Sequence, residues 1–252
     1  VSERNAYVEY CYHFKKDIYY SLELSDIVAM SGKRVYFDDK SMIHAGVSGI
    51  TFEQRIIKRL MDLAIAGFGL LITSPIFLVT AICIKAEDKG PVFYKQKRAT
   101  YAGRSFEVLK FRSMRTEDGS IHRSVTKNDD RITRVGRVIR RFRIDELPQL
   151  INVFVGDMSL VGPRPEVRHY VDFWTPEQMH VLDVRPGITD PASIKFRNEN
   201  ELMDKAEDPE SYYVNVIMQE KIRLYLEYVE NASFWYDIKL IFRTFWVIIS
   251  ER

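Results

Sequence analysis

A long apolar run in the first third of the chain limits what this protein can fold into. The run extends from Leu60 to Ile84, and Asp62 is its only charged residue. About 20 apolar residues are enough to cross the hydrocarbon core of a bilayer. The run therefore predicts a helix in direct contact with a membrane.

Two features of this run bear on how the helix lies in the membrane. Its middle contains Ser74-Pro75, and a proline there removes one backbone hydrogen bond and kinks a helix, while a neighbouring serine hydroxyl restores part of the lost pairing. A spanning helix usually has its excess of lysine and arginine on one side only. Here basic residues flank both ends: Arg55, Lys58 and Arg59 before the run, Lys85 and Lys89 after it. The pattern fits a helix that bends at Ser74-Pro75 and returns to the same face, and it equally fits a kinked transmembrane helix.

Charge and cysteine content exclude several classes of protein. The 37 basic residues nearly balance the 35 acidic residues, for a net charge of +2, so a general nucleic-acid-binding protein is not expected. The two cysteines form neither a disulfide framework nor a zinc-binding pattern, which fits a reducing compartment. The basic residues are instead concentrated beside the apolar run and between Arg131 and Arg143.

The chain divides into three segments by its pattern. Residues 1–50 mix tyrosines with charges and show no sustained period, so they form an arm without a predicted role. Residues 51–89 contain the membrane helix. Residues 90–252 follow the turn signal Lys89-Gly90-Pro91 and have the strand-like and helical patterns of a globular domain.

Short strands and membrane-surface helices are predicted within the globular domain. Val92–Tyr94 and Phe106–Leu109 read as strands, the polar segment 119–130 as a loop, and Tyr212–Glu230 as a helix. Two further helices have an apolar stripe with basic or tryptophan residues, which is typical of helices that lie on a membrane. The first carries Val135, Val138, Ile139 and Phe142, and the second carries Phe234, Trp235, Ile238, Ile241, Phe242, Phe245, Trp246 and Ile249. A core helix is the alternative for the second.

Two adjacent acids, Asp145 and Glu146, are the strongest candidates for chemistry. Pro148 predicts that a helix begins just before it, since proline is tolerated in the first turn. In one interpretation Asp145 caps this helix and Glu146 complements its dipole. In the other, the free amides at the helix start hold a phosphate beside three arginines at positions 140, 141 and 143. Asp145 would then attack phosphorus, and Glu146 would hold Mg²⁺.

Four basic residues are candidates for phosphate binding. Lys110 and Arg112 lie on the strand-like stretch KFRSM, where a solvated strand edge is the alternative. Arg164 lies between two prolines, and Arg185 precedes a proline, so both have a rigid backbone that fixes the direction of the side chain. We expect the latter two to contact substrate phosphate or nucleotide, with a structural salt bridge as the alternative.

Four motifs occur in one order along the chain: KRLMD, KFRSM, DELPQLINVFVGDMSLVGPRPE and VRPGIT. Together they resemble the bacterial sugar transferase family, the small monotopic phosphoglycosyl transferases that start the assembly of cell-surface glycans. The resemblance extends from Thr51 to nearly the end of the chain. It implies a helix-rich α/β fold with a small, short-stranded sheet, interfacial amphipathic helices and a re-entrant membrane helix broken at Ser74-Pro75.

The resemblance also implies a reaction. Asp145 would attack the β-phosphate of a UDP-sugar, release UMP and carry the phospho-sugar covalently, until undecaprenyl (polyprenyl) phosphate accepts it. Mg²⁺ bound through Glu146 would support both steps. The expected location is the bacterial inner membrane, with the active site on the cytoplasmic face. The expected partners are UDP-sugar, polyprenyl phosphate and the bilayer, and homo-oligomerisation is left open.

One segment departs from the family pattern and leaves the sugar undefined. After VRPGIT, many family members continue with GWAQVNGRN, whereas this chain has DPASIKFRNEN, which puts Asp190, Ser193, Lys195 and Arg197 near the expected sugar or nucleotide. Two other functions stay open. A transferase that moves only the sugar would release UDP, but the Asp-Glu-Leu-Pro signature disfavours it. A non-catalytic membrane scaffold would tolerate Asp145→Asn.

Overall fold

The computed structural model describes residues 33–37, 40–44, 52–115, 130–197, 199–203, 206 and 208–250. The chain forms two compact units, Val1–Gly46 and Val47–Arg252. In the first unit, strands β1 (Lys33–Phe37) and β2 (Lys40–His44) pair as an antiparallel hairpin. The polar segment predicted as a loop, 119–130, lies outside the described residues except for its last residue.

The apolar run forms the middle of helix α1 (Phe52–Asp88), which is the one described helix long and apolar enough to cross a membrane. Only 11% of its most apolar window is buried, whereas the core helix of a soluble protein would be mostly buried. Its exposed side chains are large and apolar: Leu60, Ile65, Phe68, Leu71, Ile72, Ile76, Leu78, Val79 and Ile82. A continuous apolar surface of this kind is typical of membrane contact, as the sequence predicted.

Helix α1 continues through Ser74-Pro75. Proline has no amide hydrogen, so the carbonyl of Leu71, four residues earlier, loses its usual donor. The Ser74 hydroxyl donates to that carbonyl at 2.8 Å and replaces the missing bond, as expected from the sequence. The helix has a single range from Phe52 to Asp88, and the re-entrant bend stays a prediction.

The N-terminal part of α1 is fixed to the globular domain by polar contacts. Arg59 donates to the carbonyls of Val153 and Phe154, at 2.6 and 2.9 Å. The buried carboxylate of Asp62 accepts the backbone N–H of Leu160 at 3.0 Å. Because these partners lie on α3 (Gln149–Val155) and β5 (Ser159–Val161), this end of α1 has a defined place against the domain.

The C-terminal end of α1 is attached to the same domain. Glu87 accepts the backbone N–H groups of Arg134 and Val135, at 2.7 and 3.1 Å, and so satisfies the free amides at the start of α2 (Arg134–Arg141). Asp88 pairs with the buried guanidinium of Arg112. Both ends of the membrane helix therefore contact one globular unit.

Three two-stranded sheets are described. In the second unit, β3 (Phe93–Ala99) and β4 (Ser105–Phe111) pair antiparallel, which confirms the two predicted strands. Strands β5 and β6 (Gly187–Thr189) pair parallel, and a Cβ added to Gly187 would lie 2.1 Å from the backbone nitrogen of Gly162. Only glycine permits this approach, which brings the loop containing Arg164 beside the loop containing Arg185.

Helices make up most of the remaining fold, so the expectation of a helix-rich protein with short strands is confirmed. The predicted helix 212–230 is observed as three consecutive pieces: α7 (Pro209–Tyr212), the π-helical turn Tyr213–Ile217 and α8 (Met218–Asn231). The helices after α3 are α4 (Arg168–Val171), α5 (Pro191–Lys195), α6 (Glu199–Met203), α7 (Pro209–Tyr212), the π turn Tyr213–Ile217, α8 (Met218–Asn231) and α9 (Phe234–Ser250).

The two predicted surface helices each have a buried and an exposed face. Helix α2 buries Ile139 and exposes Val138, and Phe142 directly after it is exposed as well. Helix α9 buries Asp237 and Leu240, while its exposed residues include four large aromatic side chains: Trp235, Phe242, Phe245 and Trp246. A core helix would not expose four large aromatic side chains, so this surface favours the membrane-interface interpretation of α9.

Candidate active site

Asp145 and Glu146 lie on a short turn between α2 and α3. After α2 the backbone of Arg143 adopts a left-handed conformation with φ of 56°, and a 3₁₀ turn follows over Ile144–Glu146. Pro148 occupies the N-cap of α3. The expectation that Asp145 lies at that N-cap is therefore wrong, because the left-handed residue starts a separate turn first. A non-glycine residue in this conformation is uncommon and recurs at functional sites.

Glu146 is held by two cations that come from distant parts of the chain. The Arg164 guanidinium donates from Nη2 to Glu146 Oε1 at 2.5 Å, and Lys110 Nζ lies 3.9 Å from the same oxygen. Burial alone would raise the pKa of Glu146, but Arg164 and Lys110 outweigh it and lower that pKa to about 2. Glu146 is thus an anion with a fixed position.

The two cations are themselves largely enclosed. Burial lowers the pKa of Lys110 to about 8, although the neighbouring Glu146 opposes the shift. Pairing with Glu146 raises the pKa of Arg164, so this guanidinium stays charged despite its burial. The structure therefore brings together three of the predicted site residues: the Glu146 carboxylate contacts the two cations Lys110 and Arg164.

Asp145 differs from its neighbour in its surroundings. Its Oδ1 atom is buried and has no hydrogen-bond partner among the described residues. Burial, and then the negative charge of Glu146, raise the pKa of Asp145, while Lys110, Arg140 and Arg143 oppose the shift. An unpaired carboxylate oxygen beside a fixed anion and several cations is suited to act on an incoming phosphate.

The Glu146 carboxylate is compatible with a magnesium ion whose remaining ligands would come from substrate and water. The described residues contain no group of three or more histidine, cysteine, aspartate or glutamate side chains that could hold a metal by themselves. Mg²⁺ is commonly bound by one or two carboxylates together with substrate phosphates and water. Glu146 would supply one such carboxylate, beside the unpaired buried oxygen of Asp145, and magnesium binding stays a prediction.

Arg112 and Arg185 have different surroundings from Arg164. Arg112 is buried and pairs with Asp88, and its guanidinium fills the space beside Gly90. The Arg185 side chain is exposed, while its carbonyl packs against Gly162. The structure thus gives Arg112 a partner at the end of the membrane helix, and phosphate contact by either residue stays a prediction.

Three residues of the departing segment DPASIKFRNEN make contacts within the protein. Asp190 is fully buried and caps α5, where its carboxylate accepts the Ser193 N–H at 2.8 Å. Lys195 pairs with Glu220 at 2.5 Å, and Arg197 donates to the carbonyl of Val247 at 2.6 Å. These contacts give the segment a structural role, and its expected position near sugar or nucleotide stays a prediction.

Sequence reasoning missed three residues beside Arg164. Glu166 accepts from Arg98 at 3.1 Å and from the Tyr213 hydroxyl at 2.7 Å. Arg98 also donates to the carbonyl of Pro165, the residue that follows Arg164, at 3.3 Å. Glu166 closes a motif that the sequence analysis had singled out, but no pattern along the chain pointed to Arg98 or Tyr213.

Comparison with known proteins gives a consistent result. The model of a family described as bacterial sugar transferase matches residues 53–251. A UDP-glucose:undecaprenyl-phosphate glucose-1-phosphate transferase of Caulobacter vibrioides is 36% identical over 74% of this chain, and a protein of the same name from Escherichia coli is 37% identical over 75%. A UDP-N-acetylgalactosamine-undecaprenyl-phosphate N-acetylgalactosaminephosphotransferase of Aeromonas hydrophila is 39% identical over 77%.

The matched regions make up different shares of these relatives. They cover 67% of the Caulobacter protein, 39% of the E. coli protein and 44% of the Aeromonas protein. The chain thus spans less than half the length of two of the three. Relatives named for glucose and for N-acetylgalactosamine have similar identities, so identity alone does not select the sugar.

Proposed function

This chain belongs to the bacterial sugar transferase family, and on that basis we propose that it transfers a sugar-1-phosphate from a UDP-sugar to undecaprenyl phosphate. One observation carries the proposal: Arg164 and Lys110 fix Glu146 directly beside an unpaired, buried oxygen of Asp145. This arrangement combines a nucleophile with a charged cradle for phosphate. The product, a polyprenyl diphosphate sugar, would start the synthesis of a surface glycan such as O-antigen, capsule or exopolysaccharide.

In the first half-reaction, a carboxylate oxygen of Asp145 attacks the β-phosphorus of the UDP-sugar. The bond between that phosphorus and the bridging oxygen breaks, and UMP leaves with the bridging oxygen and its electron pair. The sugar phosphate stays on Asp145 as an acyl phosphate. Lys110 and Arg164 neutralise negative charge beside the reacting phosphate.

In the second half-reaction, an oxygen of undecaprenyl phosphate attacks the same phosphorus. The bond to the Asp145 carboxylate breaks, which regenerates the aspartate and releases undecaprenyl diphosphate sugar. The two products leave in a ping-pong order. Glu146 is the residue that would hold magnesium, and the bound cation would offset negative charge on the phosphates.

The contacts of α1 support a re-entrant helix that reaches the membrane from one side. Lys58 near one end pairs with Asp237, and Glu87 at the other end binds the start of α2, all within one globular unit. A straight spanning helix would carry its far end about 30 Å across the hydrocarbon core, away from that unit. We propose that both ends lie at the cytoplasmic face of the bacterial inner membrane, where UDP-sugar and lipid phosphate meet.

The topology predicts a labelling pattern. In a cysteine-free background, we expect Ile57→Cys and Lys89→Cys to react with an impermeant maleimide in inside-out vesicles, and neither to react in right-side-out vesicles. Ile57 is exposed near one end of α1, and Lys89 directly follows the other. Val216→Cys, exposed on the globular domain, is the matched control for accessibility. Labelling of the two α1 positions from opposite sides would mean that the helix spans the membrane.

The reaction is tested with purified protein, Mg²⁺, undecaprenyl phosphate and a panel of UDP-sugars. We expect UMP and undecaprenyl diphosphate sugar in equal amounts from one or a few donors. Release of UDP would identify a transferase that moves the sugar alone. Absence of product with every donor, together with normal glycan synthesis in cells that carry Asp145→Asn, would favour the membrane scaffold.

A further inference from the structure

A chain of hydrogen bonds leads from the π turn at the start of α8 to the loop that carries Arg164. The Tyr213 hydroxyl donates to Glu166 Oε2 at 2.7 Å, and Arg98 Nη1 contacts Glu166 Oε1 at 3.1 Å. The same Arg98 nitrogen donates to the carbonyl of Pro165 at 3.3 Å. The backbone is fixed as well, because the Ala99 N–H donates to the carbonyl of Glu166 at 3.0 Å. The carbonyls of the two residues that follow Arg164, Pro165 and Glu166, are therefore each hydrogen-bonded to a residue of β3.

The charges of the residues in this hydrogen-bonded group also influence the position of Arg164. Arg98, Lys110 and Arg164 act on one another as neighbouring, largely buried cations, and their mutual repulsion would move the side chains apart. Glu166 compensates Arg98, and Glu146 compensates Arg164 and Lys110. If Glu166 were displaced, the uncompensated Arg98 would repel Arg164 from its position on Glu146.

The position of Tyr213 depends on an irregular feature of the helix. Tyr213 opens the π turn Tyr213–Ile217, and it is buried. Its ring packs against the Tyr170 ring, with centroids 5.0 Å apart. The Nζ atom of Lys221, two turns further along on α8, lies 5.1 Å from the Tyr213 ring centroid. Isolated π turns recur at functional sites because they shift the direction of one side chain. Among the residues that the structure describes, the Tyr213 hydroxyl donates to Glu166.

We propose that Tyr213, Glu166 and Arg98 are positioning residues. They hold the Arg164 guanidinium in place for its hydrogen bond to Glu146. They act through Arg164 and contact no reacting atom in the mechanism given above. The inference rests on the proposed function for its catalytic consequence, while the coupling between Tyr213 and Arg164 is a property of the fold. The two parts can be tested separately.

A double-mutant cycle tests the catalytic consequence. We expect Tyr213→Phe to lower kcat roughly tenfold with little change in the KM for UDP-sugar, since a displaced Arg164 impairs the transition state. In the Arg164→Lys background, Tyr213→Phe should lower kcat by less than about twofold, because the guanidinium that Tyr213 helps to position is already absent. Tyr228→Phe is the matched control: its hydroxyl also donates to a buried carboxylate, Asp237, at 2.7 Å. It should have the same small effect on kcat in both backgrounds.

The outcomes separate this inference from the proposed function. An equal fold-loss from Tyr213→Phe in both backgrounds, or no loss in either, would overturn the positioning role. Glu166→Gln keeps the side-chain shape and should reproduce the non-additivity if Tyr213→Phe folds poorly. If the wild-type protein transferred no phospho-sugar, the proposed function would fail. The thermal unfolding midpoints of the two single variants and the double variant would then decide the inference. If the shift in the double variant equalled the sum of the two single shifts, the inference would be overturned.

Discussion

Replacing Asp145 with asparagine is expected to lower phospho-sugar transfer by at least about a thousandfold, because an amide cannot act as the nucleophile. The stability of the fold should not decrease. Asp145 Oδ1 makes no hydrogen bond among the described residues, and its carboxylate is costly to bury, so a neutral side chain of the same shape fits the site. Steady-state formation of undecaprenyl diphosphate sugar measures the loss, and the thermal unfolding midpoint measures stability.

The control for Asp145→Asn is the same substitution at an aspartate that has no contact with the candidate active site. Asp172 is exposed and pairs with Arg168 on the surface, so Asp172→Asn should leave both transfer and stability close to wild type. An Asp145→Asn protein that retained more than about a tenth of wild-type turnover would exclude Asp145 as the covalent nucleophile.

Replacing Arg164 with methionine is expected to lower transfer by about a hundredfold or more and to destabilise the protein by about 2 kcal/mol. The activity loss follows from removing a cation that neutralises the reacting phosphate. The stability loss follows because Glu146 keeps a largely enclosed charge without its main partner. The figure lies below that for a fully buried pair, since a third of the Arg164 side chain is exposed. Chemical denaturation and turnover measure the two effects.

A second substitution separates these two effects. Arg164→Met combined with Glu146→Gln removes the carboxylate that has lost its main partner, so stability should recover part of the loss while transfer stays low. The recovery should be partial because Lys110 then lacks the neighbouring Glu146 charge. Arg168→Met, which breaks an exposed ion pair, should change stability by less than about 0.5 kcal/mol and leave turnover intact. Recovery of transfer in the double variant would mean that neither charge takes part in catalysis.

The parts of the fold that depend on local pattern could be predicted from the sequence. The apolar run predicted the membrane helix, and the patterns of Val92–Tyr94 and Phe106–Leu109 predicted strands β3 and β4. The replacement of one backbone bond by the Ser74 hydroxyl also followed from local chemistry. In each case the residues that decide the structure lie within a few positions of one another.

Contacts over long distances along the chain could not be predicted in this way. Arg98 lies 68 residues from Glu166, and Tyr213 lies 47 residues beyond it. Arg112 lies on the strand-like stretch KFRSM and was a candidate for phosphate contact or for a solvated strand edge, yet it is buried and pairs with Asp88 on the membrane helix. The left-handed backbone of Arg143 has no sequence signal, since arginine rarely adopts it. Arg143 precedes the separate turn Ile144–Glu146, and Asp145 therefore lies before the N-cap of α3, which is Pro148.

The central claim is that Asp145 carries the phospho-sugar between two substrates, and the most direct test leaves out the lipid. Purified protein, Mg²⁺ and the preferred UDP-sugar are mixed without undecaprenyl phosphate, and both the released nucleotide and the intact protein mass are measured. A burst of UMP, stoichiometric with enzyme and accompanied by a mass gain of one sugar phosphate that Asp145→Asn abolishes, is the predicted result. Nucleotide release that requires the lipid, or a burst of UDP, would contradict the account.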